Sequence, residues 1–265
     1  MPPPPELDRL AAERRTVLKQ EAATSVEVLG TGDAAVVRKV YRNLGHRWLQ
    51  SFARRSRAER EFDNLLAVAR AGVRCTDALT WSCRRRFGCV DESTLVTRFL
   101  PDSRPLKAVL AGLDRRGSAR IRRDLAVAMG RLLGRLHRSG FLWCTPMPRN
   151  VLVLGDPARA DLAVCDTPAG VQFGNSLHGT ELACIDLFDA AFSPSRRLDF
   201  SAPERLRWLR AYTDGDLQLT RRLWQTLQKR SVLGHDVRRA LALALHLYIL
   251  LPLRQGRTRP PTPAP

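Results

Sequence analysis

The chain has 265 residues and 44% apolar content, enough for one bilobal domain or two small ones with a real core. Its 44 Lys and Arg against 26 Asp and Glu leave a formal charge of +18 and a pI near 11.1. That balance predicts attraction to polyanions: nucleotides, anionic lipid head groups or nucleic acid. The lysines are Lys19, Lys39, Lys107 and Lys229; all other basic residues are arginine, an excess that codon bias alone can produce. The six cysteines form no CxxC pair and no His/Cys cluster of zinc-ligand spacing, so they read as reduced thiols of a cytosolic protein. The opening MPPPPELDR lacks the apolar core of a signal peptide. The longest apolar run, Ala240 to Leu253, is interrupted by His246 and is too short to span a bilayer.

In chain order, residues 1–5 are a proline tract expected to be disordered. Glu6 to Ala23 reads as one amphipathic helix with Leu10, Val17 and Leu18 on its apolar side. Val26 to Tyr41 reads as a hairpin whose turn is Gly30-Thr31-Gly32-Asp33. Arg57 to Ala71 is a helix with Phe62, Leu65, Leu66 and Ala69 as its stripe, ended by Gly72. Val73 to Val90 reads as strands around a basic turn, Arg84-Arg85-Arg86, which is either solvated or anion-binding. Thr94 to Leu100 alternates as a strand and stops at Pro101.

Leu106 to Leu113 is a short helix and Ser118 to Arg138 a long one, with Ile121, Leu125, Ala128, Leu132 and Leu136 recurring at three- and four-residue steps. Ser139-Gly140 ends it, Pro146 and Pro148 forbid helix in the loop, and Val151 to Val153 restart as a buried strand. Gly155-Asp156-Pro157 turns the chain into a return strand, Leu162 to Val164, followed at once by Asp166. Glu181 to Leu187 looks helical, and Pro203 opens a further helix with Leu206, Leu209 and Tyr212 on its core face. Two more helices, about 218–230 and 235–252, precede a disordered proline-rich tail.

The run Leu136 to Val153, LHRSGFLWCTPMPRNVLV, resembles the catalytic loop of the protein-kinase-like fold, LHxxGxxHxDLxPxNxLV. Leu136, His137, Gly140, Pro148, Asn150, Leu152 and Val153 fall on that pattern. The family's second histidine falls on Trp143 and its catalytic aspartate on Thr145. With VVRKVYR, SRAEREF and ERLRWLRAY, the chain is similar to the Kdo/WaaP-type lipopolysaccharide kinase family over roughly residues 26–213.

The resemblance implies an α+β, bilobal protein-kinase-like fold. A small antiparallel-sheet lobe with one helix would occupy residues 25–102 and a mainly helical lobe residues 103–254. Residues 1–24 would be an N-terminal tail and helix, and residues 255–265 a tail. It implies ATP and Mg²⁺ in the cleft and transfer of the γ-phosphoryl group to a hydroxyl of a sugar or anionic glycolipid. The place implied is the cytoplasm, with peripheral contact to an anionic inner membrane; nucleic acid is not an expected partner.

By the same resemblance Gly30 and Gly32 would cover the phosphates and Lys39 would hold them, itself held by Glu61, with Glu59 as runner-up. Arg98, Phe99 and Leu100 would offer backbone groups to an adenine. Asn150 and Asp166 would ligate magnesium, with Asp186 as the alternative to Asp166. His137 reads as structural. Thr145 cannot take a proton at neutral pH, so two readings stay open: a weak, atypical phosphotransferase, or a catalytically dead pseudokinase that serves as a nucleotide-binding or regulatory scaffold.

Overall fold

The computed structural model describes residues 5–114, 117–191 and 200–232. Its first part is a five-stranded antiparallel sheet in the order β1-β2-β3-β5-β4, formed by Arg15–Glu21 (β1), Thr24–Leu29 (β2), Val36–Arg42 (β3), Ala78–Arg86 (β4) and Cys89–Arg98 (β5). Pairing places Lys39 of β3 between Val26 of β2 and Leu95 of β5. Because side chains alternate across a sheet, Lys39 shares a face with Val37 and Tyr41, and Val36, Arg38 and Val40 point the other way.

Each face is covered by one helix. On the Lys39 face lies Arg57–Arg70 (α3), whose Leu65 packs with Tyr41 and Leu95. Ser56 caps it by accepting the Glu59 N–H. On the opposite face lies Pro5–Glu13 (α1), whose Leu7 and Leu10 bury Leu29, Val36 and Val96. The short helix His46–Gln50 (α2) sits between β3 and α3.

The second part is built around the buried stripe of Ala119–Arg138 (α5), with Leu125, Met129, Leu132, Leu133 and Leu136 in one large core. Ala202–Tyr212 (α7) crosses it so closely that a Cβ on Gly130 would lie 2.2 Å from the Trp208 carbonyl oxygen and one on Gly134 2.9 Å from that of Tyr212. Both glycines are therefore obligatory for this packing. Leu106–Gly112 (α4), Cys184–Ala191 (α6) and Leu217–Val232 (α8) complete the helices. Three short pairings frame the loop: Ser103–Pro105 (β6) with Val151–Leu154 (β8), β8 with Leu162–Val164 (β9), and Phe141–Leu142 (β7) with Val171–Gln172 (β10).

Three expectations change. The expected helix 6–23 ends at Glu13, and Arg15–Glu21 becomes the edge strand of the sheet, which therefore begins well before residue 25. The turn between β4 and β5 is Phe87-Gly88 rather than Arg84-Arg85-Arg86, which end β4. The strand expected from Thr94 already runs from Cys89. The expected helix 235–252 and the C-terminal tail lie outside the described residues, as do residues 1–4 of the proline tract.

Candidate active site

Lys39 and Glu61 meet across the face between β3 and α3. The Lys39 ammonium donates to Glu61 Oε1 at 2.7 Å, and the Tyr41 hydroxyl donates to Glu61 Oε2 at 2.5 Å. Glu61 is fully buried, whereas Glu59 pairs with Arg55 on the helix surface. The helix periodicity explains the choice: only Glu61 falls on the inward side of α3.

The same ammonium donates to the Cys165 carbonyl at 2.7 Å and stands 3.5 Å from Asp166 Oδ1. Residues 126 and 127 positions downstream thus converge on Lys39, just beyond β9. Burial works against charge on Lys39, but Glu61 and then Asp166 outweigh it and hold its pKa well above the ordinary lysine value. Burial also opposes ionisation of Asp166, and the Lys39 ammonium reverses this, so the carboxylate titrates below its usual range. Burial pushes the neighbouring Cys165 thiol up to about 12, so it stays protonated at neutral pH.

The loop reaches this cluster from below. The Trp143 indole N–H donates to the Asp166 carbonyl at 2.8 Å, and the Cys165 N–H donates to the Asn150 carbonyl at 3.0 Å. The Asn150 side-chain amide donates to the Thr145 carbonyl at 3.0 Å. That bond uses the amide nitrogen and leaves its oxygen as the atom for a ligand. The Thr145 hydroxyl is buried and has no hydrogen-bond partner among the described residues.

Asp186 of α6 anchors the loop. One carboxylate oxygen accepts the Trp143 N–H at 2.7 Å and the other the Cys144 N–H at 2.7 Å. Cys144 there holds a left-handed φ of 63°, uncommon for a side chain with a Cβ. His137 bridges Asp186 at 3.1 Å and the Tyr212 hydroxyl at 3.0 Å. Because the Asp186 carboxylate only accepts, Nε2–H donates to it, and in the neutral ring Nδ1 accepts from the Tyr212 hydroxyl, which itself accepts the Gly179 N–H. Asp186 is fully buried and its oxygens serve backbone amides, so it is a loop anchor rather than a metal ligand. Nothing local in the sequence marks this role, since α6 carries two buried aspartates, Asp186 and Asp189, and only the tertiary contacts distinguish them.

The other expected residues lie differently. Gly30 and Gly32 belong to the β2–β3 connection, where the Gly30 N–H donates to the Leu10 carbonyl at 3.1 Å and a Cβ on Gly30 would meet Leu10 at 2.7 Å. The structure ties Gly30 to α1, leaves Gly32 at the start of the short turn Gly32–Ala34, and gathers neither with Lys39. The hairpin turn at the opposite end of β2 is Ala22-Ala23. Of the three strand-end residues, Arg98 and Phe99 already spend their N–H groups on the Asp77 and Ala35 carbonyls, at 2.9 and 3.0 Å. The Leu100 N–H donates to no backbone carbonyl among the described residues. Half-buried Val26, Val28 and Val37 share the Lys39 face and form an apolar ceiling beside it.

Among the described residues no three or more His, Cys, Asp or Glu gather as a closed metal cage. One carboxylate, Asp166, and one amide oxygen, Asn150, are hard oxygen donors of the kind that share magnesium with substrate phosphates. The donor set fits that ion.

No curated protein matches the chain in sequence. Among solved structures, WaaP in complex with acyl carrier protein superposes with a TM-score of 0.62 at 20% identity, over 85% of this chain and 90% of that one, a likeness of fold. The family described as lipopolysaccharide kinase (Kdo/WaaP) matches residues 12–166, a span holding Lys39, Glu61, Thr145, Asn150 and Asp166. That is more than half of the chain, which therefore belongs to the lipopolysaccharide kinase (Kdo/WaaP) family.

Proposed function

We propose that this protein is an ATP-dependent phosphotransferase with slow, atypical turnover, acting on a hydroxyl of a sugar or anionic glycolipid at the cytoplasmic side of the inner membrane. The observation that carries this reading is the convergence of Glu61, Asp166 and the Cys165 carbonyl on the Lys39 ammonium. ATP and Mg²⁺, when bound, supply the phosphoryl group and neutralise its developing charge. Lys39 holds the phosphates and Glu61 holds Lys39. Asp166 and the Asn150 amide oxygen ligate the ion, and the Leu100 N–H and the valine ceiling seat the base.

The acceptor hydroxyl finds no proton acceptor at Thr145. Asp156 caps the Ala158 N–H within the β8–β9 turn and Asp161 pairs with Arg74 ahead of β4, so both carboxylates are engaged elsewhere. Burial keeps the Cys144 thiol protonated. Loss of general-base help lowers turnover by roughly 10²- to 10⁴-fold, while positioning and charge stabilisation, the larger share of phosphoryl transfer, remain. The buried, unpartnered Thr145 hydroxyl also favours a second reading, a nucleotide-binding scaffold without turnover.

The test is a thermal-shift titration with ATP, with and without Mg²⁺, on the wild type and Asp166→Ala. A ligand at a hundred times its Kd adds about 2.7 kcal/mol. Magnesium-dependent stabilisation lost in Asp166→Ala supports the cleft; no shift under any condition overturns it. Transfer of labelled phosphate from ATP to a glycolipid then separates the enzyme from the scaffold.

A further inference from the structure

A surface away from the cleft combines arginines with exposed apolar side chains. It is built by residues 44–58, between β3 and α3, and by the tip of the β4–β5 hairpin. Neither 44–58 nor 78–90 contains a single Asp or Glu. The two stretches are bound together. The Ala53 N–H donates to the Gly88 carbonyl at 3.2 Å, Arg85 donates to the Arg54 carbonyl at 2.6 Å, and the Arg86 guanidinium lies 5.3 Å from the Trp48 ring centre. Phe52 packs on the turn so closely that a Cβ on Gly88 would meet its ring at 2.7 Å.

The apolar side chains on this surface point into solvent. Leu49 is 65% exposed, Phe52 62% and Phe87 83%. Phe87 has a left-handed φ of 51°, followed by Gly88 at 78°. Such a turn favours Asn or Gly at its first position, and a bulky residue there is strained. The fold gains no burial from Phe87, so neither turn geometry nor core packing accounts for it. Strain kept at an exposed apolar tip points to an external contact.

Part of the arginine charge around these tips is unneutralised. Arg47, Arg54 and Arg84 form no ion pair within 4 Å among the described residues, since Glu92, opposite Arg84 in the β4–β5 register, is held by Arg42 at 3.0 Å, and Arg85 donates to the Gly88 and Arg54 carbonyls. Arg55 is held by Glu59 and Asp63, and Arg86 lies 3.8 Å from Asp91.

We propose that this surface seats the protein on an anionic phospholipid bilayer. Leu49, Phe52 and Phe87 enter the boundary between head groups and acyl chains, and Arg47, Arg54 and Arg84 meet lipid phosphates. Apolar tips ringed by uncompensated arginine match an interface that is anionic outside and apolar within. A second copy is a poor occupant, because the face repels itself. Among the described residues no helix is long and apolar enough to cross a membrane. This face deepens the reading of a protein that works at the inner membrane and uses none of the cleft residues, so vesicle binding without ATP can fail while phosphotransfer holds.

Cosedimentation of the full chain with phosphatidylcholine vesicles, with and without about one-third phosphatidylglycerol, tests it in the absence of ATP and glycolipid. Wild type is expected to bind the anionic vesicles alone. Phe52→Ser with Phe87→Asn should lower partition about tenfold or more, and Arg47→Gln with Arg54→Gln and Arg84→Gln about a hundredfold. Phe87→Asn alone suits the turn, so its weaker binding cannot come from unfolding; its melting temperature should hold or rise. Unchanged vesicle binding by the phenylalanine variant overturns the proposal, leaving diffuse charge as the attraction. No vesicle binding by wild type also overturns it, and in that case a dimer seen by sedimentation velocity and lost in the same variant would make a second copy the occupant.

Discussion

The indole N–H of Trp143 donates to the backbone carbonyl of Asp166 at 2.8 Å. The residue that replaces the family's second histidine therefore braces the chain that carries the acidic group facing Lys39. The loop departs from its family pattern in residue type yet stays physically joined to the cleft.

Replacing Trp143 by Phe removes that donor and leaves the Asp166 carbonyl without it. The expected loss is about 1–3 kcal/mol of stability, read by urea denaturation, together with a several-fold weaker response to ATP with Mg²⁺ in thermal shift.

Thr145→Asp restores a carboxylate where the loop lacks one. Phosphotransfer or ATP hydrolysis should rise by at least about tenfold, within the range general-base catalysis provides. Thr145→Val instead removes a buried hydroxyl that has no partner. It should raise stability by up to about 1 kcal/mol, since the desolvation cost of that hydroxyl disappears, and leave turnover unchanged. A coupled ATPase assay and denaturation curves check the pair; a rate fall in Thr145→Val would give the hydroxyl a role in the reaction.

Asp186→Asn keeps the shape of a loop anchor but leaves one oxygen to serve the Trp143 and Cys144 N–H groups. It should cost about 1.5–3 kcal/mol and retain the magnesium dependence of ATP stabilisation. Asp166→Asn should do the reverse, losing magnesium dependence with little loss of stability. Isothermal titration beside denaturation distinguishes the two aspartates.

Acid sensitivity should follow Glu204. Burial raises its pKa, but the Ser201 N–H at 2.7 Å, the Ser201 hydroxyl at 2.8 Å and Arg122 at 3.1 Å outweigh burial and set it below the reference value of 4.5. A depressed carboxylate stabilises the fold fully above its unfolded pKa, and that contribution is lost as pH falls through the folded one. Stability should thus decline below about pH 4.5. Glu204→Gln should flatten that limb and cost about 1.5–3 kcal/mol at neutral pH, as followed by melting temperature against pH.

Local pattern was enough for α3, α5 and the β8–β9 hairpin, because each has a buried stripe or alternation bounded by a cap, glycine or proline. It failed at β1. Every residue of Arg15–Glu21 is exposed, so no alternation of burial shaped that sequence, and Leu10, Val17 and Leu18 resemble one helical face. It failed too at Gly30, where a turn glycine reads the same whether it faces a ligand or, as here, Leu10 of a preceding helix.

What the sequence by itself determined was the set of chemical groups and their local elements: a strand lysine, a helix glutamate, an asparagine after the loop, an aspartate after a strand, and a threonine where the family has a carboxylate. Only the tertiary structure decided which of them meet. Lys39 reaches Glu61 across 22 residues and the Cys165 carbonyl across 126, and Asp186 reaches back 43 residues to hold the loop. Such contacts come from packing sheet on helix and helix on helix. Periodicity reports which side of an element is buried, not which other element it is buried against.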